Sequence, residues 1–253
     1  MFNVALFVAL LLSCCLFISE AIAVPFERRA AARVVVQCTV PKTVALTFDD
    51  GAYDYLNDVV DTLKAAGAKG TFFFNGYNWR CIYDDASVKR VQYAYNNGFQ
   101  VASHTWAHKH LTNLTGDQVN SEMAQTEDAI RRITGAIPAF TRPPYGEYND
   151  VTVQVAGARN QILANWDFDS QDSLGATVDQ QKKFYDDLVS RRPSNVISLQ
   201  HEVYSSSVHQ VLPYAIKVLQ GAGYQLVTLA ECLNMNPYLQ TGTPSPRDDT
   251  WHC

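Results

Sequence analysis

Two histidines four residues apart, His104 and His108, and two consecutive aspartates, Asp49 and Asp50, are the side chains of this chain best suited to hold a cation. On one helical turn a spacing of four would set both imidazoles on the same side. Two imidazoles and one carboxylate are a zinc donor set that leaves positions open for water and substrate. Adjacent carboxylates repel unless a cation or guanidinium stands near; without one, Asp49-Asp50 would read as a turn with one aspartate capping the next helix. Arg142, between an apolar run and Pro143-Pro144-Tyr145, offers that guanidinium. Its plainer alternative is a surface ion pair, worth little. His201 follows the run Val196-Ile197-Ser198-Leu199, where the plainer alternative is a hydrogen-bonded histidine at a strand end. Asp167, Asp169 and Asp172 supply further carboxylates. Divalent-cation hydrolysis needs these types of group: metal donors, a base for water and an acid for the leaving group.

Each group must be carried by an element that ends close to the others. β-Rich runs are expected at Val44–Phe48, Gly70–Phe74, Phe99–Ser103, Ala139–Thr141, Ile162–Trp166, Val196–Leu199 and Gln225–Thr228. Between them lie amphipathic stretches. Leu56, Val59, Val60 and Leu63 keep helical spacing with Gly67 placed to end the helix. A second stretch runs from about Ser87 to Asn97-Gly98. A third opens with a Thr115/Gln118 capping box and closes at Gly135. Three more are expected near 151–158, 178–190 and 208–220. Strand and helix in alternation predict parallel strands with crossover helices, hence an open doubly wound sheet or a β/α barrel. No Gly-x-Gly-x-x-Gly follows the first strand, so a dinucleotide fold is not favoured. In such folds the chemistry sits after the carboxyl ends of strands, and Asp49-Asp50, His104–His108, Arg142–Tyr145, Asp167–Asp172 and His201 all fall there.

In this order the segments Thr47-Phe48-Asp49-Asp50-Gly51, His104-Thr105-Trp106-Ala107-His108, Arg142-Pro143-Pro144-Tyr145, the Asp169–Asp172 stretch and Leu199-Gln200-His201 resemble the polysaccharide deacetylases of carbohydrate esterase family four, the NodB-homology domain, and most of all secreted fungal chitin deacetylases. The likeness spans about Val44 to Leu229. It implies a distorted, incomplete (β/α) barrel of about seven parallel strands. It also implies that Asp50, His104 and His108 hold the metal and that Asp49 is the catalytic base, oriented by Arg142. The Tyr145 backbone N–H would face the oxyanion, His201 would be the general acid, and Leu199 would line the acetyl pocket. An aspartate tunes His201, with Asp172 favoured and Asp169 the alternative. The family often carries tryptophan after that aspartate; here it is Ser173, so a groove wall would come from elsewhere, from Trp79 or Trp106. The implied substrate is chitin or a chitooligosaccharide, losing acetate from N-acetylglucosamine. Peptidoglycan or acetylxylan is the alternative, and a non-catalytic sugar-binding protein the reading furthest from the residues. Zinc is the implied metal; the donors also admit cobalt or another divalent cation.

The 253 residues are 47% hydrophobic and 18% charged, enough apolar surface for a sizeable core. The formal charge of −5, with no basic block longer than a pair, argues against nucleic acid. The apolar run Phe2–Ile18 ends at Ala21-Ile22-Ala23, so residues 1–23 read as a signal peptide and the mature chain as secreted, extracellular and free of membrane spans. Residues 24–37, with Arg28-Arg29, read as a propeptide or N-terminal extension, 38–235 as the deacetylase domain, and 236–253, rich in proline and polar residues, as a surface tail. Four cysteines remain after Cys14 and Cys15 leave with the signal. They allow three pairings, of which Cys38 with Cys232 would staple the two ends of the domain. Asn113-Leu114-Thr115 is a glycosylation sequon. The mature chain is expected to be sufficient as a monomer.

Overall fold

A computed structural model of the chain describes residues 30–253. The expected signal peptide and the Arg28-Arg29 pair lie outside the described residues. The strands are β1 (Val34–Val35), β2 (Thr43–Ala45), β3 (Thr47–Gly51), β4 (Thr71–Phe74), β5 (Gln100–Ser103), β6 (Ala136–Pro138), β7 (Phe140–Thr141), β8 (Ile162–Ala164), β9 (Phe168–Asp169), β10 (Val196–His201), β11 (Gln225–Val227) and β12 (Tyr238–Thr241). The helices are α1 (Leu56–Ala65), α2 (Asp85–Asn96), α3 (Gly116–Thr134), α4 (Asp150–Ala158), α5 (Val178–Arg191), α6 (Leu212–Gly221) and α7 (Leu229–Leu233).

All seven expected strands are present, and their neighbours are parallel. β4 pairs β3 on one side and β5 on the other; β7, β8 and β1 continue the sheet. β10 takes β2 and β3 along its length and also pairs β9. The result is the distorted (β/α) barrel that the family resemblance implies, one of the two architectures the alternation allows. Thr71–Phe74 and Val196–His201 are buried throughout, as strands covered on both faces must be. The crossover helices lay their apolar stripes on the outside: Leu56, Val59, Val60 and Leu63 of α1 are all buried. The Thr115/Gln118 capping box forms at the start of α3, and Gly135 closes that helix with φ +79°.

Three features differ from the sequence expectation. Val34–Val35, within the expected N-terminal extension, is a strand paired with Leu163 and Ala164. Ala136–Pro138 forms an antiparallel pair with Tyr238–Thr241, which ties the start of the supposed surface tail to the body. The tail's far end is also fastened, because Cys81 is bonded to Cys253 while Cys38 is bonded to Cys232 as expected. Among the described residues no helix is long and apolar enough to cross a membrane.

Candidate active site

β3 and β10 are neighbours in register, with Asp49 opposite His201 at the carboxyl end of the sheet. Asp49 is buried, and its Oδ1 accepts from Arg142 Nη1 at 2.8 Å. The same nitrogen reaches Thr47 Oγ1 at 2.7 Å, Nε donates to the carbonyl of Ala164 at 3.1 Å, and Nη2 to that of Asn165 at 3.3 Å. Phe73 and Trp166 flank the guanidinium, with ring centres 4.2 and 5.5 Å away. A guanidinium with no exposed surface is tolerable only when paired and hydrogen-bonded in this way. Burial pushes the Asp49 carboxyl up, and Arg142 opposes it.

Beside this pair stand Asp50, His104 and His108, whose donor atoms lie within 4.8 Å of one another. The histidines do not share a helical turn. Residues 104–110 form a loop in which Thr105 (φ 67°) and His108 (φ 52°) take left-handed conformations, and this bend brings the two rings to 4.9 Å. Asp50 (φ 72°), at the end of β3, and Tyr145 (φ 61°) and Gln171 (φ 58°), in the loops beside it, are left-handed as well, so strained backbone gathers around the site. Neither aspartate of the Asp49-Asp50 pair caps a helix, since α1 begins after Tyr55.

His104 Nδ1 lies 2.8 Å from the Arg142 carbonyl oxygen and must donate to it. Nε2 therefore carries the lone pair, yet it faces Asp49 Oδ2 at 3.6 Å and Asp50 Oδ1 at 3.7 Å. His108 Nε2 is 3.4 Å from the same Asp50 oxygen. Burial, then the neighbouring His108, lowers the His104 pKa to about 3, so no proton relieves this meeting of lone pairs. The donor set fits a divalent cation, and the Nδ1 contact is the outer hydrogen bond that fixes a ligating tautomer.

Across the cleft His201 Nδ1 lies 2.7 Å from Asp172 Oδ1. Asp172 Oδ2 accepts from the His201 backbone N–H at 2.8 Å and from Ser207 Oγ at 2.9 Å. Burial works against charging His201, but Asp172 outweighs it and raises the pKa to about 9. Asp169 instead accepts from the Gln171 N–H at 2.7 Å. Leu199 lies two residues before His201 on β10, hence on the same strand face, and is buried.

Trp79 belongs to the loop after β4. Its indole N–H donates to Asp50 Oδ2 at 3.4 Å, and its ring meets those of Tyr53 and Tyr204. Trp106 packs on Gly76 and Tyr83 instead: a Cβ at Gly76 would fall 1.8 Å from its ring, so only glycine fits. The Tyr145 ring is stacked on His110 at 3.9 Å and meets His108 at 4.7 Å.

Sequence reasoning missed three contributors. Asn78 donates to Asp50 Oδ1 at 3.2 Å, and no sequence signal marks it. Tyr204 places its ring 5.8 Å from that of His201. Glu202, directly after His201, is a signal that could have been followed. It is buried below Gly51, where a Cβ would collide with Oε1 at 1.9 Å, and Oε1 accepts from the Tyr53 N–H at 2.9 Å. Burial raises its pKa to about 8.

A carboxylate, an imidazolium and a cation site converging on one cleft define the class of the chain, a hydrolase. A polysaccharide deacetylase family model matches residues 36–160. A chitin deacetylase of Pestalotiopsis sp is 34% identical over 259 residues, covering 93% of this chain and 84% of that protein. A probable peptidoglycan-N-acetylglucosamine deacetylase of Arthroderma benhamiae is 36% identical over 205 residues, covering 79% of this chain and 46% of that protein. The solved chitin deacetylase of the fungal pathogen Colletotrichum lindemuthianum superposes with a TM-score of 0.78 at 29% identity, over 82% of this chain and 94% of that one. The chain belongs to the polysaccharide deacetylase family and is a hydrolase of carbon–nitrogen bonds other than peptide bonds; the deacetylases of this family are metal-dependent.

Proposed function

We propose that this enzyme hydrolyses the N-acetyl groups of N-acetylglucosamine residues in chitin or chitooligosaccharides, releasing acetate and leaving glucosamine units. The observation that carries the reading is the register of Asp49 with His201 on adjacent strands: one carboxylate and one imidazolium, held by opposite partners, face each other across the cleft beside Asp50, His104 and His108. Asp50, His104 and His108 would hold a divalent cation, zinc by the chemistry of these donors, with cobalt as the alternative. When bound, such a cation supplies Lewis acidity to water and to the amide carbonyl.

The chain's own residues then divide the proton work. Asp49, fixed by Arg142, takes a proton from the attacking water. Charge builds on the former carbonyl oxygen, and the Tyr145 backbone N–H is the donor assigned to it; removing one such donor typically costs about 3 kcal/mol. The amine leaves only when protonated, and His201, kept cationic by Asp172, gives its proton to that nitrogen. Leu199 lines the pocket for the acetyl methyl, and Trp79 stands at the rim as a wall for the sugar.

Secretion is supported by the apolar leader and by two disulfides, which persist in oxidising compartments. Asn113 is exposed in a short 3-10 turn, as a glycosylation acceptor would be. The folded chain is read as a monomer with no nucleic-acid partner. Peptidoglycan is the second reading, favoured by the Arthroderma benhamiae relative.

The test is acetate release from an N-acetylglucosamine pentamer by the mature chain, after chelation and again after adding zinc, with acetylxylan and peptidoglycan in parallel. Zinc-restored release from the pentamer is expected. Release from another polymer alone would change the substrate, and release from none would overturn the reading.

A further inference from the structure

Resting on the assignment of a cation to Asp50, His104 and His108, we infer that Asn75 and Glu122 are positioning residues that set how tightly that cation is held. Neither belongs to the three-residue donor set. The bend that brings the two histidines together is costly in itself, since Thr105 and His108 are both left-handed, a conformation that side chains with a Cβ rarely adopt. The bend also turns the unprotonated nitrogen of His104 toward two carboxylates. Such a loop persists only where its surroundings impose it.

Asn75, the residue after β4, is 2% exposed and holds the first half of the loop. Its side-chain amide donates to the carbonyls of His104 at 2.6 Å and Thr105 at 3.1 Å. Its backbone N–H donates to the Gly51 carbonyl at 3.0 Å, next to Asp50. Its Oδ1 accepts from Asn78, which also donates to Asp50. One residue thus ties the strand end that carries Asp50 to the main chain at His104.

Glu122 of α3 is 3% exposed and holds the second half. Its Oε2 accepts from the Ala107 N–H at 2.8 Å, and its Oε1 pairs with Lys109 Nζ at 2.8 Å, so the carboxylate grips the residues on both sides of His108. The Lys109 side chain is 57% exposed, which leaves the bond to Ala107 as the firmer part of the grip. Buried polar groups are costly unless partnered, and here most of the partners are main-chain atoms of the ligand loop. Donors already in place lose little freedom on closing around a metal, so binding is tighter.

The experiment titrates zinc into the metal-free mature chain against a competing chelator. Glu122→Ala and Asn75→Ala are each expected to weaken zinc binding by about 10- to 100-fold, the range for partners that orient metal ligands. Glu122→Gln keeps an oxygen for the Ala107 N–H and is expected to bind within about fivefold of wild type, the loss of one exposed ion pair. Urea unfolding of each metal-free variant runs beside the titration: a purely structural role would lower stability and leave the zinc affinity of the folded chain unchanged. Asn75→Ala carries the test if Glu122→Ala does not fold. Wild-type affinity in the folded alanine variants, or a Glu122→Gln variant as weak as Glu122→Ala, would overturn the inference and leave the cation assignment intact. A wild-type chain that takes up no zinc would overturn that assignment and the inference with it.

Discussion

The two sides of the cleft are built from the same kind of contact used in opposite senses. On the β3 side the carboxylate of Asp49 is the reacting group and the Arg142 guanidinium its support; on the β10 side the His201 imidazolium reacts and the Asp172 carboxylate supports it. Both pairs are short, 2.8 and 2.7 Å, but their surroundings differ. Arg142 is sealed among Phe73, Trp166 and backbone carbonyls, and so cannot be released to water. His201 keeps a small exposed edge and a single carboxylate partner on its ring. In the sealed pair burial pushes the Asp49 carboxyl up, toward taking a proton, whereas in the pair at the edge Asp172 raises the His201 pKa to about 9, so that it holds one. What the pairing teaches is that direction of proton flow is set by which member of an ion pair faces the cleft.

The base side carries the largest expected effects. Asp49→Asn should reduce turnover by about 10³-fold with the cation content of the purified protein unchanged, checked by steady-state acetate release and elemental analysis. A variant that turns over normally would remove Asp49 from the base role. Arg142→Met leaves the Asp49 carboxylate buried and unpaired, and loss of a buried partner costs about 3–5 kcal/mol of stability. Denaturant unfolding of that variant is expected to show this, together with an activity profile whose acid limb moves to higher pH. The sign follows from the structure: burial already raises the Asp49 carboxyl, and Arg142 is the group that opposes it.

The acid side should show a smaller loss that depends on the leaving group. His201→Asn is expected to cost about 10²-fold on the amide and under tenfold on an acetate ester of an acidic phenol, which departs without a proton. Equal losses on the two substrates would show that His201 acts on some step other than protonation of the leaving nitrogen.

Much of this arrangement was legible in the sequence, for physical reasons that also mark the limits. Parallel strands covered on both faces read as apolar runs, so Thr71–Phe74 and Val196–His201 stood out. Two-residue strands such as Val34–Val35 carry no period to detect, and the pairing of Ala136–Pro138 with Tyr238–Thr241 joins segments about a hundred residues apart. His104 and His108 were brought together as expected but by left-handed loop residues rather than by a helical turn, because spacing reports proximity without reporting the path. Asp169 and Asp172 could not be separated by type. Gln171, left-handed between them, turns Asp172 toward His201 and leaves Asp169 to cap the bend. The polar composition of the last eighteen residues concealed Trp251, which is buried against Tyr83 and Arg247, two residues before the cysteine bonded to distant Cys81.

The finest division between the two sides is drawn by Asp172→Asn, which keeps the shape of the support and removes its charge. His201 has its pKa raised from 6.5 to about 9, with burial opposing and Asp172 prevailing. A raised histidine contributes stability that is fully present below pH 6.5 and lost as pH climbs through 9. The alkaline limb of activity should accordingly lie near pH 9 in the wild-type enzyme and move toward 6.5 in the variant. At pH 6 both proteins carry a protonated His201, and rates should agree within about twofold; at pH 8 the variant keeps only a few per cent of the protonated form, a drop of roughly thirtyfold for a pKa of 6.5. The ratio of the two rates, measured with acetate release across that range, isolates the charge of Asp172 from its hydrogen-bonding shape. An unshifted limb would place the tuning of His201 with the more distant Asp49 and Asp50 charges, and would make the two sides of the cleft one electrostatic unit rather than two.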